Sequence, residues 1–278
     1  MTFEFQRKTL KREIEIEGVG IFYGKHAEVL LRPFDDGIVF SYQKKKWKAE
    51  VCQVQKHELR CTKLGEILVT EHLMSALNAM EVTDVLIEVY GESGELPILD
   101  GGAFEYASAI HETGLQNIGK RRKFSLFNRV QMHDEDNPLS ALRISVGEGK
   151  WQYVFHLNET SENPQRFEAK ITPEVFLKEI APARTIAFER ERESMLSRGI
   201  GLGANEENTL ILSSNGYLNE SLFEDEPARH KLLDCLGDLY LAGVPYRFLN
   251  VSGERSGHKL NALAAKRLCE LCEWEDDE

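Results

Sequence analysis

Three side chains able to bind a metal ion or move a proton recur every four residues in one stretch: His230, Asp234 and Asp238. Apolar residues at helical spacing predict a helix over 229–243, on which side chains four residues apart lie in one row. An imidazole and a carboxylate one turn apart can bind a single Zn²⁺, with a further donor and water completing the site. The alternative is a solvated charged stripe. When the H-x-x-x-D spacing is the only evidence, this alternative is the better explanation, because two-residue metal motifs often arise by chance.

Further acid–base candidates lie at the predicted starts of other helices. Glu71 and His72 fall in the first turn of a helix predicted over 71–80, with Thr70 as its cap. His258 begins the last predicted helix. Backbone amides point outward there, which suits a histidine that acts near an oxyanion, although the helix dipole disfavours extra positive charge.

Two other patterns carry less weight. Cys269 and Cys272 have C-x-x-C spacing, but a single pair on an amphipathic helix indicates core packing rather than a zinc site. The glycine-rich turn over 18–24 lacks the lysine–threonine ending and the following helix of a nucleotide P-loop, so we reject that interpretation.

The composition predicts a folded protein of the cytoplasm. The 278 residues are 42% hydrophobic, enough to bury a core, and the net charge of −12 argues against general affinity for nucleic acid or anionic membranes. There is no apolar run of about 18 residues and no signal-peptide pattern. The five cysteines have no framework spacing and are expected to be reduced.

Hydrophobic periodicity predicts strands and helices in both parts of the chain. Strands are expected over 27–33, 37–42, 85–90, 143–146 and 151–156, and further helices over 104–113, from Thr172 and at the C-terminus. Strands precede helices in each part, so the expected fold class is α+β in two similar-sized units, 1–122 and 123–278. The basic run 120–123 is interpreted as a solvated linker and the acidic tail 273–278 as solvated. The buried side of the last helix is predicted to carry Leu260, Leu263, Ala264, Leu268 and Leu271.

Five motifs in one order resemble a known family. They are Glu71-His72, Pro97-Ile98-Leu99-Asp100-Gly101, Ala183-Arg184-Thr185, Arg229-His230-Lys231-Leu232-Leu233-Asp234 with Gly237-Asp238-Leu239, and Ser256-Gly257-His258 with Leu260-Asn261. Residues 6–12 and Gly18-Val19-Gly20 fit the same pattern. The chain thereby resembles the UDP-3-O-acyl-N-acetylglucosamine deacetylase family, the zinc amidases of lipid A biosynthesis. With this resemblance the H-x-x-x-D pattern becomes a predicted zinc pair.

The resemblance implies a fold and a metal site. Two α/β-sandwich halves are expected to pack with their helix layers inward and the active site at their junction. His72, His230 and Asp234 would hold one Zn²⁺, with water in the fourth position and Fe²⁺ as a competing metal.

The resemblance also implies a reaction and catalytic roles. Glu71 would take the proton from the attacking water, and protonated His258 would donate a proton to the departing amine. Asp238 would orient His258, and Thr185 would stabilise the tetrahedral oxyanion. The reaction is hydrolysis of the N-acetyl group of a UDP-linked acylated glucosamine, which releases acetate and the free amine.

Contacts with the substrate are implied as well. Lys231 and Arg255 would supply positive charge for the diphosphate, and an exposed loop charge is an equal alternative for Arg255. An insert near 183–212 would form an apolar passage for the acyl chain, although each of its apolar residues taken singly fits ordinary core packing better. The predicted lining residues are Ile186, Phe188, Ile200 and Leu202.

The chain departs from the family's pattern at a few places. Phe22 replaces a usual histidine, Gly102 a usual serine and Ile186 a usual aromatic residue, and the connection over 61–71 is short. None of these changes removes a metal ligand or an acid–base residue. Ile186 and the short connection bear on the fit to the sugar and the acyl chain, while the chemistry is expected to be unchanged.

Two other functions remain open at this point. One is a zinc hydrolase of another acylated amino sugar, and the other is a non-catalytic protein that binds a nucleotide-linked lipid. The presence of both Glu71 and His258 argues against binding alone, because neither is needed to hold zinc or substrate. We expect a monomer that binds no nucleic acid and does not insert stably into a membrane.

Overall fold

The computed structural model of the chain describes residues 1–126, 129–157 and 164–275. The elements up to residue 113 are, in chain order, β1 (Thr2–Leu10), β2 (Ile14–Val19), β3 (His26–Pro33), β4 (Ile38–Tyr42), β5 (Lys45–Lys48), α1 (Thr70–Ala79), β6 (Val85–Gly91) and α2 (Phe104–Thr113). Five of these strands form one sheet in the order β2-β3-β6-β4-β5.

The elements after residue 113 form the remaining sheets and helices. They are β7 (Leu115–Leu126), β8 (Val130–His133), β9 (Ala141–Val146), β10 (Lys150–Phe155), β11 (Gln165–Lys170), α3 (Pro173–Val175), β12 (Thr185–Phe188), α4 (Glu189–Ser197), β13 (Thr209–Ser213), β14 (Gly216–Tyr217), α5 (Glu226–Tyr240), β15 (Leu249–Glu254), α6 (His258–Leu271) and β16 (Cys272–Glu275). A second five-stranded sheet has the order β11-β10-β15-β9-β8, and two smaller sheets are β12-β13-β14 and β1-β7-β16. Within the described residues, no helix is both long and apolar enough to cross a bilayer.

Alternating apolar residues explain the middle of the first sheet. Val29 and Leu31 of β3 are buried and stand opposite Val89 and Ile87 of β6. Successive side chains of a strand point to opposite faces, so this alternation gives the sheet one apolar face. That face packs on the helices and forms part of the core.

Helix α1 lies at the centre of the molecule, where all ten of its residues are buried. A helix that is buried on every side must be covered by other elements all round. Helix α5 packs along it so closely that a Cβ added at Gly237 would lie 2.0 Å from the carbonyl oxygen of Glu71. The predicted α+β class is therefore confirmed, and the two helices lie inside the molecule.

Most predicted elements are present, with boundaries shifted by a few residues. The helix predicted over 229–243 begins three residues earlier, at Glu226. The hydroxyl of Thr172 accepts a hydrogen bond from the backbone N–H of Val175 at 3.2 Å, so it caps α3 as expected. Gly114 ends α2 with φ at +73°, a conformation that glycine adopts without strain.

The prediction that Thr70 caps α1 is wrong. Thr70 is the first residue of the helix, and its hydroxyl donates to the carbonyl of Thr62 at 3.2 Å. The cap position belongs to Val69, which has φ at +63° and makes no side-chain capping bond. A β-branched residue in the left-handed region costs about 1–2 kcal/mol, so the surrounding packing must hold this turn in place.

The prediction of a buried Leu263 is also wrong, since its exposed fraction is 44%. Leu260, Ala264 and Leu268 are buried, and they follow a spacing of four residues along α6. At about 100° per residue, Leu263 lies outside the arc that these three share.

The interpretation of 120–123 as a linker is wrong, because these residues belong to a strand. Glu273 and Glu275 of the predicted tail are exposed, as expected, although they lie in β16. Residues 120–123 lie within β7, which pairs with β1 on one side and β16 on the other. Charge in this run is compatible with a strand because Arg121 pairs with Glu4 across the sheet at 3.0 Å. The last part of the predicted tail, 276–278, falls outside the described residues.

Aromatic side chains attach this terminal sheet to the rest of the molecule. The ring centroid of Phe124 lies 5.1 Å from those of Phe3 and Trp274 and 5.5 Å from that of Phe248, just before β15. Strand β7 thus runs through the predicted boundary at residue 122. The division into 1–122 and 123–278 stays a prediction, with a shared sheet joining the two parts.

Replacing Gly237 with alanine is expected to destabilise the fold, because the added methyl group would overlap the carbonyl oxygen of Glu71 and force α1 and α5 apart. We expect the free energy of unfolding in urea to fall by about 3 kcal/mol. Gly257→Ala is the control, since no atom lies within 4 Å of its Cβ position and its φ is −138°. Equal stability of the two variants would contradict the close crossing.

Candidate active site

The two central helices bring two histidines and an aspartate into one group. His72 comes from the first turn of α1, and His230 and Asp234 come from successive turns of α5. Nε2 of His230 and Nε2 of His72 lie 3.4 and 3.7 Å from Oδ1 of Asp234, and the ligand atoms all lie within 4.8 Å of one another. The structure thus places the three predicted metal ligands where they can share one ion.

Burial keeps both histidines neutral, which is the form that binds a metal. Burial, with His230 nearby, lowers the pKa of His72 to about 3, and burial also lowers the pKa of His230. The Nδ1–H of His230 donates to the carbonyl oxygen of Ala183 at 3.0 Å. This bond fixes the tautomer and leaves the lone pair of Nε2 for a metal.

Asp234 is ionised although it is buried. Burial opposes its charge, but Lys231 and protonated His258 outweigh this effect and hold its pKa below the usual range. Nζ of Lys231 donates to Oδ2 at 2.6 Å, whereas the buried Oδ1 accepts no hydrogen bond from any described residue. A buried carboxylate oxygen without a partner is unfavourable. A cation between Oδ1 and the two imidazoles would satisfy it, so these residues fit a metal ion.

A pair of acid–base side chains adjoins the three ligands. Glu71 precedes His72 in α1, and His258 is the first residue of α6. Nε2 of His258 lies 3.7 Å from Oε1 of Glu71 and 3.8 Å from Oδ2 of Asp234. Because these distances exceed a direct hydrogen bond, both side chains can contact one small group placed between them.

Burial and neighbouring charges shift the pKa of both members of this pair. Burial raises the pKa of Glu71 to about 8, although His258 acts against the shift. Burial disfavours the charge of His258, but the carboxylates of Asp238, Glu71 and Asp234 outweigh it and raise its pKa to about 9. His258 therefore carries a proton at neutral pH. A pKa of about 8 would keep Glu71 protonated as well in the absence of a metal, and a cation held by the neighbouring ligands would favour its ionised form, in which it can act as a base.

Asp238 is hydrogen-bonded to the imidazole of His258, and its orienting role stays a prediction. The Nδ1–H of His258 donates to Oδ2 of Asp238 at 2.9 Å. The side-chain amide of Asn261 donates to the same oxygen at 2.9 Å. With Nδ1 held in this way, the proton on Nε2 points toward Glu71 and the metal ligands.

Thr62 contacts both Glu71 and Asp238 although no sequence motif marks it. Its backbone N–H donates to Oε2 of Glu71 at 2.9 Å, and its hydroxyl donates to Oδ1 of Asp238. Asp238 is 176 residues away along the chain. No local pattern distinguishes this threonine from one in a surface loop, so only the folded chain reveals it.

The other predicted polar residues lie around this centre. Thr185 begins β12 and is half-buried, with its backbone N–H bound to the carbonyl of Gly101 at 2.7 Å. Lys231 is bound to Asp234. Arg255 precedes α6 with φ at +51°, an uncommon conformation for arginine. The catalytic role of Thr185 and the substrate contacts of the two cations stay predictions.

The predicted insert forms a small sheet beside the centre. Strand β12 pairs in parallel with β13, which pairs with β14. Ile186 and Phe188 are half-buried in β12, Ile200 is buried, and Leu202 is 56% exposed. Leu202 thus lies at the surface, Ile200 is inside, and Ile186 and Phe188 pack against the core while partly exposed. Their predicted contacts with an acyl chain remain to be tested.

Two of the unusual residues have a clear structural setting. Phe22 is buried in an apolar cluster with Ile200 and Cys61, so this position packs the insert instead of presenting an imidazole. A Cβ added at Gly102 would lie 2.2 Å from the carbonyl oxygen of Ala181, so a serine could not fit there without a shift.

Comparison with known proteins identifies relatives along nearly the whole chain. The profile of the family described as UDP-3-O-acyl N-acetylglycosamine deacetylase matches residues 7–270. Proteins named UDP-3-O-acyl-N-acetylglucosamine deacetylase from Brucella melitensis biotype 2 (strain ATCC 23457), Brucella ovis (strain ATCC 25840) and Brucella abortus (strain 2308) are each 33% identical over 275 residues. The match covers 94% of this chain and 94% of each relative.

We expect the purified protein to bind about one equivalent of a divalent metal ion at this centre. Asp234→Ala removes the unpartnered carboxylate and should weaken the affinity by about tenfold or more, measured by titrating the metal-free protein. His156→Ala is the control, because His156 pairs with Glu254 at 2.9 Å and is not one of the grouped ligands. Equal metal affinity of the two variants would exclude Asp234 as a ligand.

Proposed function

This chain belongs to the UDP-3-O-acyl N-acetylglycosamine deacetylase family, and from that premise we infer its reaction. The chain is a hydrolase that removes the N-acetyl group of UDP-3-O-acyl-N-acetylglucosamine in lipid A biosynthesis, releasing acetate and the free amine. The observation that carries this inference is the buried group where α1 and α5 cross, with three metal donors beside one base and one acid.

We propose that one Zn²⁺ is held by His72, His230 and Asp234. Two neutral imidazoles and a carboxylate are a donor set typical of catalytic zinc, and the unpartnered Oδ1 of Asp234 supports a cation here. Fe²⁺ accepts the same donors and is the alternative metal. When bound, the ion would polarise the amide carbonyl and lower the pKa of a water molecule.

Proton transfer is proposed to use Glu71 and His258. Oε2 of Glu71 is bound to Thr62, so Oε1 is the oxygen that takes the proton from the attacking water. His258, held by Asp238, gives its Nε2 proton to the departing amine nitrogen. The positive charge of His258 and the hydroxyl of Thr185 would stabilise negative charge on the carbonyl oxygen.

Substrate binding is proposed to involve the remaining predicted residues. Lys231 uses one N–H to bind Asp234, so its ammonium has two more for a phosphate oxygen. Arg255 lies three residues before His258 and could add a second charge to the same end of the substrate. The apolar residues proposed to contact the acyl chain are Ile186, Phe188, Ile200 and Leu202.

Specific residues favour one alternative, a hydrolase of another acylated amino sugar. Ile186 and the short connection over 61–71 differ from the family's pattern at places expected to bear on the sugar and acyl chain, while the acid–base pair is intact. A non-catalytic nucleotide-lipid binding protein has less support, because neither Glu71 nor His258 would be needed for binding alone.

We further propose that the chain acts in the cytoplasm as a monomer and binds no nucleic acid. All five cysteines are free, as expected in a reducing compartment. The net charge of −12 opposes general binding to nucleic acid.

Release of free amine from UDP-3-O-acyl-N-acetylglucosamine tests the reaction. Glu71→Gln and His258→Gln should each lower kcat by about 10²–10⁴-fold at unchanged metal content, because each removes one proton-transfer group. Lys259→Gln is the control, since Lys259 follows His258 but pairs with Asp134 and Asp136 at the surface. No turnover by the metal-loaded wild type at several acyl lengths would contradict the function, and wild-type rates in both variants would contradict the roles.

The protonated state of His258 predicts an alkaline limit to activity. Since nearby carboxylates raise the pKa of His258 to about 9, the imidazolium is present below that pH and is lost as the pH rises through it. In the wild type kcat/KM should therefore decline above about pH 9, and this decline should be absent from the residual activity of His258→Gln. An unchanged decline in the variant would assign it to another group.

A further inference from the structure

We propose that Thr62 is a positioning residue that orients both proton-transfer groups, an inference that rests on the proposed deacetylase reaction. Thr62 lies in the connection before α1 and is 2% exposed. Its N–H, its hydroxyl and its carbonyl each bind a different part of the site. Each of these contacts has a separate consequence for the chemistry.

The backbone N–H of Thr62 selects the reactive oxygen of Glu71. It donates to Oε2 at 2.9 Å, so that oxygen is already used. Oε1 is left facing Nε2 of His258 at 3.7 Å. A carboxylate with one fixed oxygen presents the other in a defined place, so Thr62 determines where a proton is taken from water.

The hydroxyl of Thr62 completes a ring of hydrogen bonds with Asp238 and His258. It donates to Oδ1 of Asp238, and Oγ1 lies 3.3 Å from Nδ1 of His258. His258 and Asn261 both donate to Oδ2 of Asp238. The carboxylate is thus held through both oxygens and cannot rotate without breaking hydrogen bonds, so the Nε2 proton of the imidazole stays directed at the reaction site.

The carbonyl of Thr62 ties this arrangement to α1. It accepts hydrogen bonds from the backbone N–H and the hydroxyl of Thr70, at 3.3 and 3.2 Å. Because Thr70 directly precedes Glu71, the loop and the start of the helix are fixed to one another. One residue therefore connects the base on α1, the carboxylate on α5 and the acid on α6.

Thr62→Val keeps the shape and the backbone contacts but removes the hydroxyl, leaving Oδ1 of Asp238 without that donor. We expect kcat to fall by about 10–100-fold with KM within about twofold, because the lost contact aligns reacting groups rather than binding substrate. Thr62→Ser restores the hydroxyl and should recover most of the rate. Thr9→Val is the control, since Thr9 is 3% exposed and its hydroxyl binds the N–H of Phe34 in the strand region.

A double-mutant cycle separates positioning from general destabilisation. Thr62→Val and Asp238→Asn act on the same hydrogen bond, so their combined effect on kcat should be smaller than the product of the separate effects. The proposal is overturned by independent effects in this cycle, by equal kcat values for Thr62→Val and Thr9→Val, or by failure of Thr62→Ser to recover the rate.

A second readout needs no turnover. In protein labelled with ¹⁵N-histidine, the Nδ1–H resonance of His258, identified by its loss in His258→Gln, should shift in Thr62→Val and stay in place in Thr9→Val. If the wild type lacks turnover but this shift occurs, the deacetylase function fails and the positioning by Thr62 stands. If turnover occurs while the resonance and kcat are both unchanged in Thr62→Val, the proposal for Thr62 alone fails.

Discussion

The close crossing of α1 and α5 is the constraint on which the rest of the site depends. A metal centre needs donors within a few ångströms of one another, yet its ligands come from two helices far apart in the chain. Gly237 has no side chain at the contact, which lets α5 approach the backbone of Glu71. Asn78, further along α1, holds the same two helices together. Its side-chain amide donates to the carbonyl of Leu236 at 3.0 Å, and its Oδ1 accepts from the backbone N–H of Tyr246 at 3.1 Å. The geometry of the metal donors is therefore a property of the helix interface.

A site placed in the interior also requires that its charges be compensated, since an unpaired buried charge is costly. Asp234 lies against Lys231, and Asp238 lies against His258. A third buried pair, Arg184 with Glu226 at 2.9 Å, fixes the start of the insert to the first turn of α5. The residue before Arg184 supplies the carbonyl that orients His230. The ion pairs thus position the metal ligands as well as neutralise charge.

The residues proposed for metal binding and proton transfer lie on different structural elements from the residues proposed to contact the substrate. The proposed metal and acid–base side chains are carried by helices, in the first turn of α1, within α5 and at the first residue of α6, where packing fixes them. The proposed substrate contacts lie on the insert and on loops, which vary more readily. Among the departures from the family's pattern, Ile186 belongs to this second group, and Phe22 packs beside the insert. At position 22, phenylalanine instead of the family's usual histidine packs in an apolar cluster that includes Ile200 of the insert.

Local spacing determined the parts of this protein that the sequence predicts well. His230 and Asp234 lie one helical turn apart, so their common row follows from α-helix geometry alone, and the alternation in β3 follows from strand geometry. The order of five motifs, which resembles a known family, then indicated a zinc-binding role for His230 and Asp234. Only the tertiary structure decided which distant groups meet: β7 and β16 form a strand pair from segments predicted as solvated, and Val69 rather than Thr70 takes the cap position. Thr62 reaches Asp238 across 176 residues by packing, and no neighbouring residue encodes such a contact.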